Sequence, residues 1–226
     1  MQIFVFLFGL AVGSFLNVVI YRLDFSDQPL LKRLNGRSCC RLCLHQLSWL
    51  DLIPVLSFLL LGGKCHYCRQ KISFQYPLVE TATALLFLLI LNFEFRISNK
   101  FEIYNLIHLF FLFYLWSSLI VIFVYDLKHF LIPTNILFLA IAVTLLYQFI
   151  FDFNFLFFNS FWIALGSFFA FLCAYLFPPR EKYMGFGDVQ LAFLLGLALG
   201  FPNILVALFL SFFLPYYKER LSYKTE

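Results

Sequence analysis

The chain of 226 residues is 63% hydrophobic and 22% aromatic, whereas only 12% of its residues are charged. Together with a mean hydropathy of +0.90, this composition excludes a soluble enzyme, a nucleic-acid-binding module and a disordered scaffold. The formal net charge of +4 is therefore expected to reflect membrane topology and contact with membrane lipid, and no nucleic-acid partner is expected.

Apolar segments long enough to cross a bilayer as helices recur along the chain, since one span needs about 20 apolar residues. In chain order they are 3–21, 78–93, 103–125, 130–151, 153–179 and 189–217. The last segment contains Gly200-Phe201-Pro202-Asn203, which predicts a turn because proline cannot donate a backbone hydrogen bond and disfavours helix before it. That turn divides the segment into two spans. Because the segments are apolar on every face, unlike the strands of a membrane barrel, we predict an all-α polytopic membrane protein with about seven transmembrane helices.

The stretch 23–76, between the first two spans, contains two C-x-x-C motifs. They are Cys40-Arg41-Leu42-Cys43 and Cys65-His66-Tyr67-Cys68. This spacing is typical of a zinc ribbon, in which the four cysteines (Cys40, Cys43, Cys65 and Cys68) bind one structural Zn²⁺. The alternative is two disulfides, which rarely persist in the cytoplasm. Cys39, His45 and His66 are the alternative metal ligands.

Basic residues predict the orientation, since they concentrate in cytoplasmic loops. If the N-terminus is outside, all of the Lys and Arg residues except Arg96 and Lys100 lie in cytoplasmic segments. We therefore predict that the N-terminus is outside and that the cysteine loop is cytoplasmic.

Two acids lie at the cytoplasmic boundary in this topology. Asp126 follows the third span, and Asp188 opens the sixth. Two carboxyl groups brought together there can share one proton, so that one activates water and the other hydrogen-bonds the scissile carbonyl. This interpretation is an aspartic peptidase. The alternatives are a helix cap for Asp188 and a solvated acid paired with Lys128 or His129 for Asp126.

Glycines flank Asp188 in the sequence Gly185-Phe186-Gly187-Asp188. Gly185 and Gly187 would let the backbone approach a substrate strand closely and enter the membrane in a non-helical conformation. Both are candidate substrate-binding residues, although Gly-x-Gly-Asp is a weak pattern by itself.

The chain resembles the bacterial type IV prepilin peptidases, membrane aspartic proteases of the GxGD class that also act as N-methyltransferases. The matching segments run along almost the whole chain: 13–23, both C-x-x-C motifs, 53–57, 63–65, 72–80, 126–133 and 185–191. This resemblance covers both of the proposed aspartates and all four proposed zinc ligands.

The resemblance implies that Asp126 and Asp188 cut the leader from prepilins and pseudopilins at the cytoplasmic face of the bacterial inner membrane. It also implies methylation of the new N-terminal residue with S-adenosylmethionine, in which Glu80 would hold the incoming ammonium or the methyl donor. The alternative for Glu80 is an acid at a helix N-terminus, where the helix dipole alone favours it. Residues 1–22 would be the first transmembrane helix, 23–76 the methyltransferase-associated zinc loop, and 77–226 the peptidase core. The family usually has eight helices, so we expect this core to lack the last one.

Two other functions are compatible with the residues. A catalytically impaired or non-catalytic zinc-bearing assembly factor of the pilus or secretion machinery would keep the cysteine loop without peptidase activity. An ion-coupled transporter would use the acids to bind cations, but both acids are expected at one face of the membrane and not at its midplane.

Overall fold

The computed structural model describes residues 1–23, 37–40, 42–97, 103–151, 155–176 and 185–207. Its helices are α1 (Gln2–Leu23), α2 (Leu56–Leu60), α3 (Gln75–Ile97), α4 (Ile103–His129), α5 (Thr134–Phe151), α6 (Phe155–Leu176) and α7 (Phe186–Leu199), with a 3-10 turn at Leu50–Leu52. Within the described ranges there is no β-strand, only two isolated bridges in the cysteine loop. The predicted all-α class is confirmed.

Five helices are long and apolar enough to cross a membrane, namely α1, α3, α4, α5 and α6. Helix α7 is apolar but has only 14 residues. After it the chain turns at Gly200, which has a φ of +62° and donates its N–H to the carbonyl of Gly196 at 3.2 Å. The predicted turn at 200–203 is therefore present. The protein is a multi-pass membrane protein, and most of the predicted seventh span lies outside the described residues.

The chain divides into two compact units, Met1–Pro133 and Thr134–Glu226. In the first unit, α1 packs closely on α3 through glycines. A Cβ atom on Gly9 would lie 2.6 Å from the Cα of Ala84, and one on Gly13 would lie 2.6 Å from the Cα of Glu80. Small residues four apart allow this close approach of two membrane helices, so α3 and its Glu80 are held directly against α1.

Helix α3 runs antiparallel to α1 and to α4. The start of α1 meets the end of α3 where Gln2 donates a side-chain hydrogen bond to Asn92 at 3.0 Å. The start of α4 meets the same end where His108 lies 3.7 Å from Glu94. The cysteine loop and the end of α4 that carries Asp126 therefore lie together at the opposite end of this unit.

In the second unit, α7 packs against both α5 and α6. A Cβ atom on Gly196 would lie 2.6 Å from the Cα of Ala164, and the Ser167 hydroxyl donates to the Ala192 carbonyl at 2.9 Å. The Gln148 side chain on α5 donates to the Leu197 carbonyl at 2.7 Å. These contacts fix the helix that begins with the Gly-x-Gly-Asp segment.

Candidate metal centre and active-site residues

Four cysteine side chains converge in the loop of the first unit. The Sγ atoms of Cys40, Cys43, Cys65 and Cys68 all lie within 4.8 Å of one another, and those of Cys40 and Cys68 are 3.9 Å apart. A tetrahedron with Zn–S bonds of about 2.3 Å has edges of about 3.8 Å. The four thiols therefore fit a closed tetrahedral zinc site, in which a metal ion would have no free coordination position and a structural role.

The two C-x-x-C motifs form matching knuckles. The N–H of Cys40 donates to the His45 carbonyl at 2.9 Å, and the N–H of Cys65 donates to the Gln70 carbonyl at 2.8 Å. In each knuckle the residue after the second cysteine returns a 3.0 Å bond to the first: Leu44 to Cys40, and Arg69 to Cys65. This repeated backbone geometry presents two sulfur atoms from each knuckle to one point.

The thiol pKa values of the two knuckles shift in opposite directions. The backbone N–H of Cys43, helped by that of Leu42, lowers the pKa of Cys40 to about 6 although burial opposes the shift. At Cys68 the backbone N–H of Gln70 lowers the pKa, but burial and the neighbouring thiols outweigh it and raise the pKa to about 11. Four sulfur atoms this close cannot all ionise without a counter-charge, and a divalent cation supplies one.

Asp51 anchors the second knuckle, a role that the sequence analysis did not assign. Its carboxylate accepts hydrogen bonds from the Ser48 hydroxyl at 2.7 Å and the Ser48 N–H at 3.0 Å. It also contacts the His66 ring nitrogen at 3.3 Å and the Tyr67 hydroxyl at 3.2 Å. Burial raises the pKa of Asp51, but these hydrogen bonds outweigh burial and lower it. The pattern Ser48-x-x-Asp51, typical of local capping, could have signalled this role.

The alternative metal ligands do not join the cluster. Among the described residues, the group that could hold an ion contains the four predicted cysteines alone. Cys39 is exposed, and the His45 ring lies on the ring of Tyr67, with centroids 3.8 Å apart.

Glu80 lies buried at the start of α3, with 6% of its surface exposed. Its carboxylate accepts the backbone N–H of Val55 at 2.7 Å and a hydrogen bond from the Ser14 hydroxyl. Glu80 therefore joins the cysteine loop to α1 and α3. Nearby Asn17 is also buried and donates to the Tyr76 carbonyl at 3.1 Å, a hydrogen bond that joins α1 to α3.

Asp126 lies exposed in the last turn of α4. That helix ends where Phe130, with a φ of 53°, donates its N–H to the Asp126 carbonyl at 2.8 Å. The pairing of Asp126 with Lys128 or His129 stays a prediction.

Asp188 lies half-buried in the first turn of α7. Its carboxylate accepts the N–H of Gly185 at 2.9 Å, and its own N–H donates to the Gly185 carbonyl at 3.1 Å. Asp188 is therefore the third residue of the helix and not its N-cap, which is Gly185, and its carboxylate accepts the N-cap N–H. Gly185 is extended and exposed, whereas Gly187 lies within the first helical turn. Asp126 and Asp188 belong to different compact units, and their pairing stays a prediction.

Comparison with known proteins gives matches to both units. The profile described as the bacterial peptidase A24 N-terminal domain matches residues 7–93, and that of the type IV leader peptidase family matches residues 111–216. A prepilin leader peptidase/N-methyltransferase of Bacillus subtilis is 32% identical over 206 residues, which cover 91% of this chain and 77% of that protein. The chain belongs to the type IV leader peptidase family.

Other relatives in the type IV leader peptidase family carry the same name. The protein from Vibrio cholerae is 31% identical over 204 residues, covering 85% of this chain and 75% of the relative. That from Myxococcus xanthus is 39% identical over 133 residues, which are 59% of this chain but only 36% of the relative. The match thus spans about a third of some relatives and three quarters of others. No solved structure matches the chain.

Proposed function

We propose that this protein removes the leader peptide from type IV prepilins and pseudopilins at the cytoplasmic face of the bacterial inner membrane and then methylates the new N-terminal residue. The observation that carries the proposal is the ordered match of both units to relatives named prepilin leader peptidase/N-methyltransferase, over 85% and 91% of the chain. The relatives' names supply the two activities, and the residues of this chain supply the chemistry that follows.

Peptide cleavage is assigned to Asp126 and Asp188. In this proposal one carboxylate takes a proton from water, and the resulting hydroxide attacks the scissile carbonyl carbon. The other carboxyl group is protonated and donates a hydrogen bond to the carbonyl oxygen, which stabilises the developing negative charge. The proton then passes to the leaving amine as the peptide C–N bond breaks. The position of Asp126 at the loop end of the first unit, away from the end that carries Glu94, supports a cytoplasmic site.

The segment before α7 is suited to holding an extended substrate. Gly185 is extended and exposed just before Asp188, and neither Gly185 nor Gly187 has a side chain that would keep a second backbone at a distance. A prepilin strand beside this segment would present its scissile bond next to the carboxylate of Asp188.

Methyl transfer is assigned to the first unit. The co-substrate S-adenosylmethionine carries an activated methyl group on a sulfonium, and its transfer to the free amine breaks the S–CH₃ bond and leaves a neutral thioether. The amine must lose one proton, and we assign the buried carboxylate of Glu80 to binding the positive charge of this reaction. Zn²⁺ on the four cysteines keeps the loop folded, and no step of either reaction is assigned to it.

The test is cleavage and methylation of a prepilin by membranes that contain the full chain. We expect Asp126→Asn and Asp188→Asn each to abolish leader removal, because an amide cannot accept the proton from water. Asn still accepts a hydrogen bond at a helix cap, so Asp188→Asn should keep the Gly185 contact and the fold. The matched control is Glu94→Gln, at the opposite end of the first unit. This variant should cleave prepilin as the natural protein does.

Mass spectrometry of the prepilin reads both activities at once. A trimmed product from either Asp variant would refute the peptidase assignment. A prepilin that binds to the natural protein but is never cut would select the non-catalytic assembly factor. Cation uptake that depends on Asp126 in reconstituted vesicles would select the transporter.

A further inference from the structure

A cavity of about 420 Å³ lies within the first unit, between the cysteine loop and the adjoining ends of α1 and α3. Its volume lies in the range of small-molecule sites, which is roughly 300–1,000 Å³. The zinc loop forms one side through residues such as Ser57 and Phe58, and the membrane helices form the other through Ser14, Asn17 and Tyr76. The cavity therefore exists only when the loop is folded over these helix ends.

One wall of this cavity carries the buried acid Glu80. Its hydrogen bonds come from neutral donors, the Ser14 hydroxyl and the Val55 N–H. Within the described part of the chain, no Lys, Arg or His forms an ion pair with it. A buried carboxylate is costly to hold without a nearby positive charge, and a cationic group of a ligand in the cavity would supply that charge.

The same cavity is lined by basic side chains from the loop and from α1, namely Arg22, Arg37 and Lys71. These would favour a carboxylate on the ligand. The aromatic side chains of Tyr21, Phe58 and Tyr76 also line the cavity and offer flat apolar surface to a heterocycle. A ligand with a cationic group, a carboxylate and a planar ring would meet a complementary group on each part of this wall.

We infer that this cavity is the binding site for S-adenosylmethionine, with Glu80 facing the positively charged methionyl part of the molecule. The inference rests on the proposed methyl transfer and adds the location of the donor. S-adenosylmethionine combines a sulfonium and an ammonium, one carboxylate and an adenine ring. A free peptide N-terminus also offers an ammonium to Glu80, but it brings no carboxylate at its own end for the basic residues.

The first test changes the charge and keeps the shape. In Glu80→Gln the side-chain oxygen still accepts the N–H of Val55, but the negative charge is lost. Binding of labelled S-adenosylmethionine to the full chain in nanodiscs should weaken at least about 30-fold, the usual effect of removing one partner of a buried charge pair. The matched control is Glu94→Gln on the same helix, which should bind within about threefold of the natural protein.

The second test fills the cavity. Ser57 lines it, so Ser57→Trp should abolish binding of S-adenosylmethionine by occupying its space. Leu59 lies two residues further on the same short helix, is 67% exposed and does not line the cavity. Leu59→Trp should therefore bind normally. A zinc content of one ion per chain, measured on every variant, shows that the loop remains folded.

The outcomes separate the inference from the function on which it rests. Normal S-adenosylmethionine binding by zinc-loaded Glu80→Gln and Ser57→Trp, in a protein that does methylate, would overturn the inference and leave the proposed function standing. Loss of binding to a trimmed pilin peptide in both variants, with donor binding unchanged, would also overturn it, because the cavity would then hold the acceptor. Donor binding that follows the predicted pattern without any methylation would refute the proposed methyl transfer and not the site.

Discussion

Leu44 and Arg69 occupy equivalent places in the two cysteine knuckles, and both have a left-handed backbone, with φ of 56° and 58°. This conformation crowds the Cβ atom of an L-residue and costs roughly 1–2 kcal/mol, whereas glycine adopts it freely. Both knuckles therefore hold strain because each must turn its chain sharply to bring two thiols to one ion.

Leu44→Gly is expected to stabilise the zinc loop. The side chain is 72% exposed, so its removal loses little packing. Glycine relieves the backbone strain but makes the unfolded chain more flexible, and the net gain in the free energy of unfolding is roughly 0.5–1 kcal/mol. The measurement is the midpoint of zinc release under a competing chelator. Leu44→Gly should raise this midpoint. Leu42→Gly is the control, since Leu42 is exposed but its backbone is not left-handed, and it should lower the midpoint because glycine only adds flexibility there. A lower midpoint for Leu44→Gly would contradict the proposed strain.

At the same scale, the sequence identified those residues whose chemistry depends on local spacing. The convergence of the four cysteines was predicted correctly, because two C-x-x-C motifs each hold a pair of thiols within one turn of chain. The contacts of Glu80 with Val55 and of Asp51 with His66 join residues that are 25 and 15 positions apart. Such contacts depend on how the loop folds back on the helices, which no local pattern specifies.

Helices α1 and α3 depend on glycine for their close packing. Gly13→Ala should lower the free energy of unfolding by about 1–3 kcal/mol, because the added methyl group meets the backbone of Glu80 and the helices must separate. Gly166 on α6 is the matched control, since a Cβ atom there meets nothing within 4 Å. Gly166→Ala should be neutral or stabilising by up to about 1 kcal/mol. Unfolding in detergent is the measurement, and equal effects of the two substitutions would contradict the proposed packing.

The cysteine loop is the second element that can be tested by itself. Cys40→Ser or Cys65→Ser should release zinc and unfold the loop, since a structural site with three ligands binds the ion far more weakly. Methylation should then fall before leader removal does, because the proposed aspartates lie outside the loop. Metal analysis and the two activities are measured together, and Cys39→Ser, an exposed thiol outside the cluster, is the control. Equal loss of both activities, or rapid inhibition of cleavage by a chelator, would contradict the proposal that the zinc loop serves methylation and the two aspartates serve cleavage.

At the scale of elements, hydropathy located the helices because a membrane span must be long and apolar. It did not predict that α7 has only 14 residues. Its end at Leu199 is set by Gly200, and its start by the Gly185–Asp188 contact. Nor did hydropathy show which helices touch, since this depends on small side chains such as Gly9 and Gly13, a G-x-x-x-G pattern that the apolar composition obscures.

For the whole molecule, the central claim is that an acid from each compact unit contributes to one catalytic site. Charge counting predicted that Asp126 and Asp188 lie on the same side of the membrane, but charge patterns specify sidedness and not distance. Their separation depends on how several apolar helices pack, and the packing energy is spread over many similar side chains. The meeting of the two carboxyl groups therefore needs a measurement of its own.

The most direct measurement is chemical cross-linking between cysteines placed at the two positions, in an Asp126→Cys, Asp188→Cys variant. The chain is loaded with zinc, and Cys39 and Cys173 are replaced by serine so that they cannot react. Carboxylates that share a proton lie about 3 Å apart, so a bifunctional thiol reagent with a reach of only roughly 5 Å should join the two positions when a prepilin is bound. A pair at Glu94 and Asp126 should not be joined, because 18 residues of helix, about 27 Å, separate Asp126 from the His108 that contacts Glu94. If both cysteines react singly but no cross-link forms with prepilin bound, the shared catalytic site is contradicted.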